Sequence, residues 1–169
     1  KVPIQEIRGI LLDWHSRTSV NLCRVLASEY WKIEPEWLHA QGEFVSEIQG
    51  NTAAVIIGDR AMALAGAFPY AYDLAKEWFQ FSGLPFVFAC WMANNRVPED
   101  FARRFELALQ YGLNHLDQVV EEEISRYPSQ YQVEKYLKQT VSYIFDAPKK
   151  QALETFLTLS GKLRELSPA

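Results

Sequence analysis

The chain has 169 residues, with 17 Lys plus Arg against 21 Asp plus Glu, a formal charge of −4. That length allows one ordinary domain, or one domain and a piece of another, and the charge balance speaks against a nucleic-acid binder, which would carry a basic face. Hydrophobic residues at 49% with 22% charged mark a globular chain, and no stretch approaches the roughly 18 continuous apolar residues of a membrane span.

The first half alternates between strand and helix patterns. Gly9-Ile10-Leu11-Leu12-Asp13 is a short apolar run ending in a polar residue, which predicts a buried strand. Ser16-Arg17-Thr18-Ser19 follows, and then Leu22, Cys23, Leu26 and Tyr30 recur at helical spacing over residues 18–31. Pro35 cannot continue that helix. Trp37-Leu38-His39-Ala40 fits a short strand, and residues 43–49 fit a helix closed by Gly50. Ala53-Ala54-Val55-Ile56-Ile57 is a continuous apolar run, as expected of a strand covered on both faces. Gly58-Asp59 opens a short helix through Ala65, which Gly66 and Pro69 break. The apolar run 84–91 predicts another strand, with Pro85 near its start. Such alternation implies a mainly parallel sheet with helices on its faces.

The second half has no such alternation. Pro98 suits a first helical position, and Phe101, Phe105, Ala108, Leu109, Leu116, Val119 and Val120 keep helical spacing to about Arg126. A further helix is expected over 130–142 and a last one from Asp146-Ala147-Pro148 through Leu166. No internal repeat or low-complexity segment is visible.

The best candidate site is Ser16-Arg17-Thr18-Ser19, between a strand end and a helix start. Two readings fit it. The hydroxyls of Ser16, Thr18 and Ser19 suit plain helix capping. The same free N–H groups, helix dipole and Arg17 guanidinium suit a bound carboxylate, since ligands of open parallel sheets sit outside the carboxyl ends of strands. Gly58 and Asp59 occupy the equivalent end of a second strand, where Asp59 fits a helix cap, a partner for the first turn, or a ligand contact. His15, His39 and His115 lack metal-ligand spacing. Glu121-Glu122-Glu123 reads as a solvated helix face. Cys23 and Cys90 are too few for a disulfide framework and read as buried thiols in a reducing compartment. The aromatics Trp78, Trp91, Phe86 and Phe88 read as core. No GxSxG, Walker or Rossmann glycine pattern is present.

Taken in order, Ser16-Arg17-Thr18-Ser19-Val20, Ile56-Ile57-Gly58-Asp59, Asp73-Leu74 with Trp78, and Gly83-Leu84-Pro85-Phe86-Val87-Phe88-Ala89 with Trp91 resemble the chorismate dehydratase family of menaquinone biosynthesis by the futalosine route. The resemblance covers essentially the whole chain, and its departures are small: Ala75 where the family often has Gly, and Ser82 where Thr is usual. It implies a periplasmic-binding-protein-like type II α/β fold, with residues 1–91 as one parallel or mixed-sheet lobe and residues 92–169 as C-terminal helices packing on the other lobe. It implies a cytoplasmic hydro-lyase with no metal or organic cofactor. Such an enzyme removes water from chorismate to give 3-[(1-carboxyvinyl)oxy]benzoate. It places Ser16, Arg17, Thr18, Ser19, Gly58 and Asp59 at the substrate and assigns no general base.

The resemblance also implies that a first lobe, with an Asn-containing turn and a Ser on a crossover strand, precedes Lys1. The abrupt Lys1-Val2-Pro3 start fits a point between lobes. Helices after Val97 would then expose apolar surface and favour association, including homo-oligomers. The sister dihydroxynaphthoate synthase family carries a His-Glu pair where this chain has Gly58-Asp59, which weighs against that reaction. A solute-binding or sensor domain for a small carboxylate is the alternative on the same fold, and a purely helical interaction module ranks below it.

Overall fold

The structure is a computed structural model. It describes residues 1–13 and 15–166, the side chains of residues 130 and 164–166 aside. Three four-residue strands form one parallel sheet: β1 (Gly9–Leu12), β2 (Glu36–His39) and β3 (Thr52–Val55), in the order β2-β1-β3. Leu12 pairs with His39 on one side and with Val55 on the other. All four residues of β1 are buried, which is why the central strand reads as an uninterrupted apolar run.

The strands are connected through helices. α1 (Arg17–Val25) leads into a wider π turn over Leu26–Trp31, so the predicted helix 18–31 exists with a changed last turn. The expected helix at 43–49 is a single 3-10 turn, Phe44–Glu47. α2 (Gly58–Ala63) follows β3, and α3 (Leu74–Ser82) follows α2. The sequence reading did not include α3. Its signals are local: the Asp73 carboxylate accepts from the N–H of Ala75 at 2.9 Å and of Lys76 at 3.1 Å. Gly83 closes it at φ +71°, in the left-handed region that glycine enters without a Cβ penalty.

The run 84–91 is not a strand: no described strand lies beside it, and a strand needs a partner for its backbone groups. Phe86 instead sets its ring edge-on against Trp78 at 5.5 Å. Phe88 and Trp91 do not complete a core, being 47% and 76% exposed.

The predicted 98–126 helix is two, α4 (Glu99–Asn114) and α5 (Leu116–Glu123). The break falls at His115, whose Nδ1 lies 2.7 Å from the Tyr111 carbonyl oxygen and takes up one of the carbonyls left over at the end of α4. The expected 130–142 helix is a 3-10 turn, a short α6 (Val133–Lys135) and a π turn over Tyr136–Thr140. α7 (Ala147–Leu166) begins where the sequence placed it.

The chain divides into two compact units. The first holds Lys1–Phe88 and the segment from Phe145 onward, so α7 packs on α1. Trp78 is fully buried there among Leu22, Val25, Leu26 and Phe156. A second cluster, with Ile4, Ile7, Ile10, Leu12, Cys23 and Val55, covers one face of the sheet, and Leu11, Ala40 and Phe44 cover the other. The second unit, Ala89–Ile144, carries α4 to α6. Among its described residues Val120 is the one buried hydrophobic side chain, while Leu107, Tyr111 and Ile124 are more than half exposed.

Cys90 is exposed, contrary to the expectation of two buried thiols, because the run that carries it is not packed into a sheet. Cys23 is buried, and desolvation pushes its thiol up to about 12. A thiol-alkylating reagent at neutral pH is therefore expected to label Cys90 and spare Cys23 until the chain is unfolded, with peptide mass mapping as the readout.

Candidate functional site

β1 and β3 are parallel neighbours, so the segments that follow Leu12 and Val55 leave the same edge of the sheet. The two sequence motifs therefore lie at the carboxyl ends of adjacent strands. Ser16 is the N-cap of α1. Its Oγ accepts from the Ser19 N–H at 3.1 Å and donates to the Ser19 Oγ at 2.9 Å, and its carbonyl accepts from the Val20 N–H at 3.1 Å. The capping reading is thus realised at Ser16. Ser19 is buried beneath the turn, Thr18 is half-buried, and Arg17 is exposed. The N–H groups of Arg17 and Thr18 belong to the first turn of α1, where a helix offers no carbonyl partner. Capping and anion binding are compatible here, since they use different donors.

The second turn is built differently from its expectation. Ile57, not Asp59, is the N-cap of α2, no side-chain cap bond forms, and Asp59 is exposed in the first turn. Gly58 sits at φ +60°, and a Cβ there would meet nothing within 4 Å. The glycine therefore answers a backbone conformation rather than a close approach.

What joins the two turns is a pair absent from the sequence reading. Asp13, directly after β1, is 1% exposed. Its Oδ2 accepts from Arg60 Nη2 in a close ion pair, and its Oδ1 accepts from the His15 N–H at 3.1 Å. Arg60 belongs to α2 and lies over the Phe44 ring, 5.5 Å from its centroid. A buried carboxylate is stable only when paired and hydrogen-bonded, and both conditions are met. The signal in the sequence is a charged residue closing an apolar strand, with an Arg just past the Gly-Asp of the next strand end.

His39 ends β2, and His115 lies in the other unit. Among the described residues no group of three or more His, Cys, Asp or Glu is placed to hold a metal ion. No described helix is long and apolar enough to cross a membrane. Glu121 and Glu122 are exposed, and Glu123 pairs with Arg126 at 2.6 Å.

A family profile described as menaquinone biosynthesis matches residues 1–162. The chain belongs to that family. It is similar to a curated relative named chorismate dehydratase, from Thermus thermophilus. The two are 27% identical over 182 residues, which cover 95% of this chain and 66% of the relative. The chain thus spans just under two thirds of that relative's length. The first two of the recognisable motifs lie at the carboxyl ends of β1 and β3, and the Ser16 cap holds the first of them in place. Ser16→Ala is expected to cost about 1 kcal/mol of stability, the usual loss for a removed cap, read as a lower midpoint in urea unfolding.

Proposed function

We propose that the protein of which this chain is part dehydrates chorismate to 3-[(1-carboxyvinyl)oxy]benzoate in menaquinone biosynthesis, as a hydro-lyase of the futalosine route. The observation that carries the reading is the family match over residues 1–162, together with the name of the Thermus relative. The fold proposed is the periplasmic-binding-protein-like type II arrangement, with residues 1–91 in one lobe and the helices that follow belonging to the other. The parallel sheet β2-β1-β3 and the sparsely buried second unit support it, with α7 as the exception, since it packs on α1 in the lobe of residues 1–91. The setting proposed is cytoplasmic, and the partners are the small carboxylate substrate and, through the exposed apolar side chains, a further copy of the protein.

The reaction removes a proton from the ring carbon that bears the enolpyruvyl ether. Its electron pair forms a ring double bond as the neighbouring C–O bond breaks. Hydroxide leaves and, with one proton, becomes water; the ring becomes aromatic. Chorismate is a dianion. One carboxylate suits the first turn of α1, which offers the Arg17 and Thr18 N–H groups and carries the exposed Arg17 side chain. Ser16 and Ser19 shape the backbone that presents those donors, and Gly58 and Asp59 are proposed as substrate contacts from the turn that follows β3. No side chain of this edge is assigned as the base.

Incubation of the full-length protein with chorismate tests the proposal. The expected product is lighter than chorismate by one water, with the diene absorbance replaced by an aromatic one. Asp59→Asn and His15→Gln are expected to keep turnover within a few-fold; a collapse of kcat with intact binding in either would place the base here. Binding of chorismate without consumption would return the reading to a solute-binding or sensor domain.

A further inference from the structure

We propose that Arg60 is a second carboxylate-recognition group of the same edge and that Asp13 is its positioning residue. This rests on the proposed reading of the site as one that takes a small dianion. Arg60 carries five N–H donors in a fixed plane. One of them goes to the buried Asp13 carboxylate, and the Phe44 ring covers one face of the guanidinium. The Arg60 side chain nevertheless stays 43% exposed. The described residues give its other donors no hydrogen-bond partner.

Asp13 cannot swing with it. The carboxylate is 1% exposed and is also held by the His15 N–H. That bond belongs to the turn that leads into Ser16 and α1, so the guanidinium is aimed from the same backbone that forms the first anion-binding turn. A salt bridge whose sole role was to staple two loops would need no exposed edge. Here one edge of the guanidinium is fixed by a buried anion and another is left open at the carboxyl end of adjacent parallel strands. A planar fork held in that way suits a bidentate carboxylate. Arg17 at the α1 first turn and Arg60 beside Asp13 then give two guanidinium groups at the carboxyl ends of adjacent strands, one for each of the two carboxylates of chorismate, that on the ring and that on the enolpyruvyl ether.

The test uses the full-length protein, calorimetric titration, and three probes: chorismate, 3-hydroxybenzoate and the neutral 3-hydroxybenzamide. Wild-type protein is expected to prefer the carboxylates, and Arg60→Gln to weaken their binding by about tenfold or more, the ordinary worth of a charge-assisted hydrogen bond, with Arg60→Lys intermediate. Arg60→Gln leaves Asp13 buried without its ion pair, so the double variant Asp13→Asn/Arg60→Gln is measured beside it. It is expected to recover the melting temperature without recovering carboxylate affinity, which a merely structural tie would not do. A folded double variant that binds chorismate as tightly as wild type overturns the inference and leaves the proposed function standing. Failure of wild-type protein to bind any carboxylate probe overturns it as well. Arg60-dependent binding of 3-hydroxybenzoate with no binding of chorismate supports the inference and removes chorismate as the substrate.

Discussion

Trp78→Ala is expected to lower the stability of the α/β unit by about 3–5 kcal/mol, the range for deleting a large buried aromatic. In a chain of this size that is a fall in melting temperature on the order of 10 °C, read by circular dichroism. The reason is placement. Trp78 is fully buried and meets α1 through Leu22 and Val25, the π turn after it through Leu26, and α7 through Phe156, whose ring stands edge-on at 6.1 Å. Its ring also meets Phe81 at 5.9 Å and Phe86 at 5.5 Å. No single neighbour can relax into the space, because three helices border it. Trp78→Phe is expected to cost much less. The indole Nε1 has no hydrogen-bond partner among the described residues, so losing that polar group offsets part of the lost packing. If Trp78→Ala melts with the wild type, the indole is not the keystone of this contact.

The second large effect is expected at Arg60. Arg60→Met removes the cation and keeps much of the apolar stem over Phe44, yet leaves the Asp13 carboxylate at 1% exposure with one N–H as its remaining partner. Breaking a fully buried pair costs about 3–5 kcal/mol because a buried charge is stranded. Arg60 is 43% exposed, so its attraction to Asp13 is screened and about 2–3 kcal/mol is the better figure here. Asp13→Asn/Arg60→Met, which has no charge to strand, is expected to regain most of that. Urea unfolding of the two single variants and the double one gives the coupling directly. Additive losses would mean that the two side chains do not act as a pair.

The legibility of the fold in the sequence follows local chemistry closely. β1 is readable because a strand buried on both faces is an unbroken apolar run, and β3 because its apolar run persists although three of its four residues are only partly buried. α7 is readable from Asp146-Ala147-Pro148. The run 84–91 fails for the converse reason: its residues prefer a strand, but strand structure depends on a neighbour that propensity does not report. The helix α3 is easily missed although Asp73 and Gly83 mark both ends, because the breakers Gly66 and Pro69 stand just before it. At the candidate site, Ser16 to Ser19 are legible because caps are local. Asp13 and Arg60 are not, since their relation exists only once β1 and β3 lie side by side.

That sheet order has a consequence for how the chain is made. Of the three strands β1 leaves the ribosome first, and β3 does not exist until Val55 has emerged. At about 5–20 residues per second, the most apolar strand of the unit waits several seconds for β3. An open apolar edge is a template for the wrong strand. The interval before β3 is made is therefore a vulnerable one in the synthesis of this unit, and crowded translation at high expression should lengthen its exposure to wrong partners.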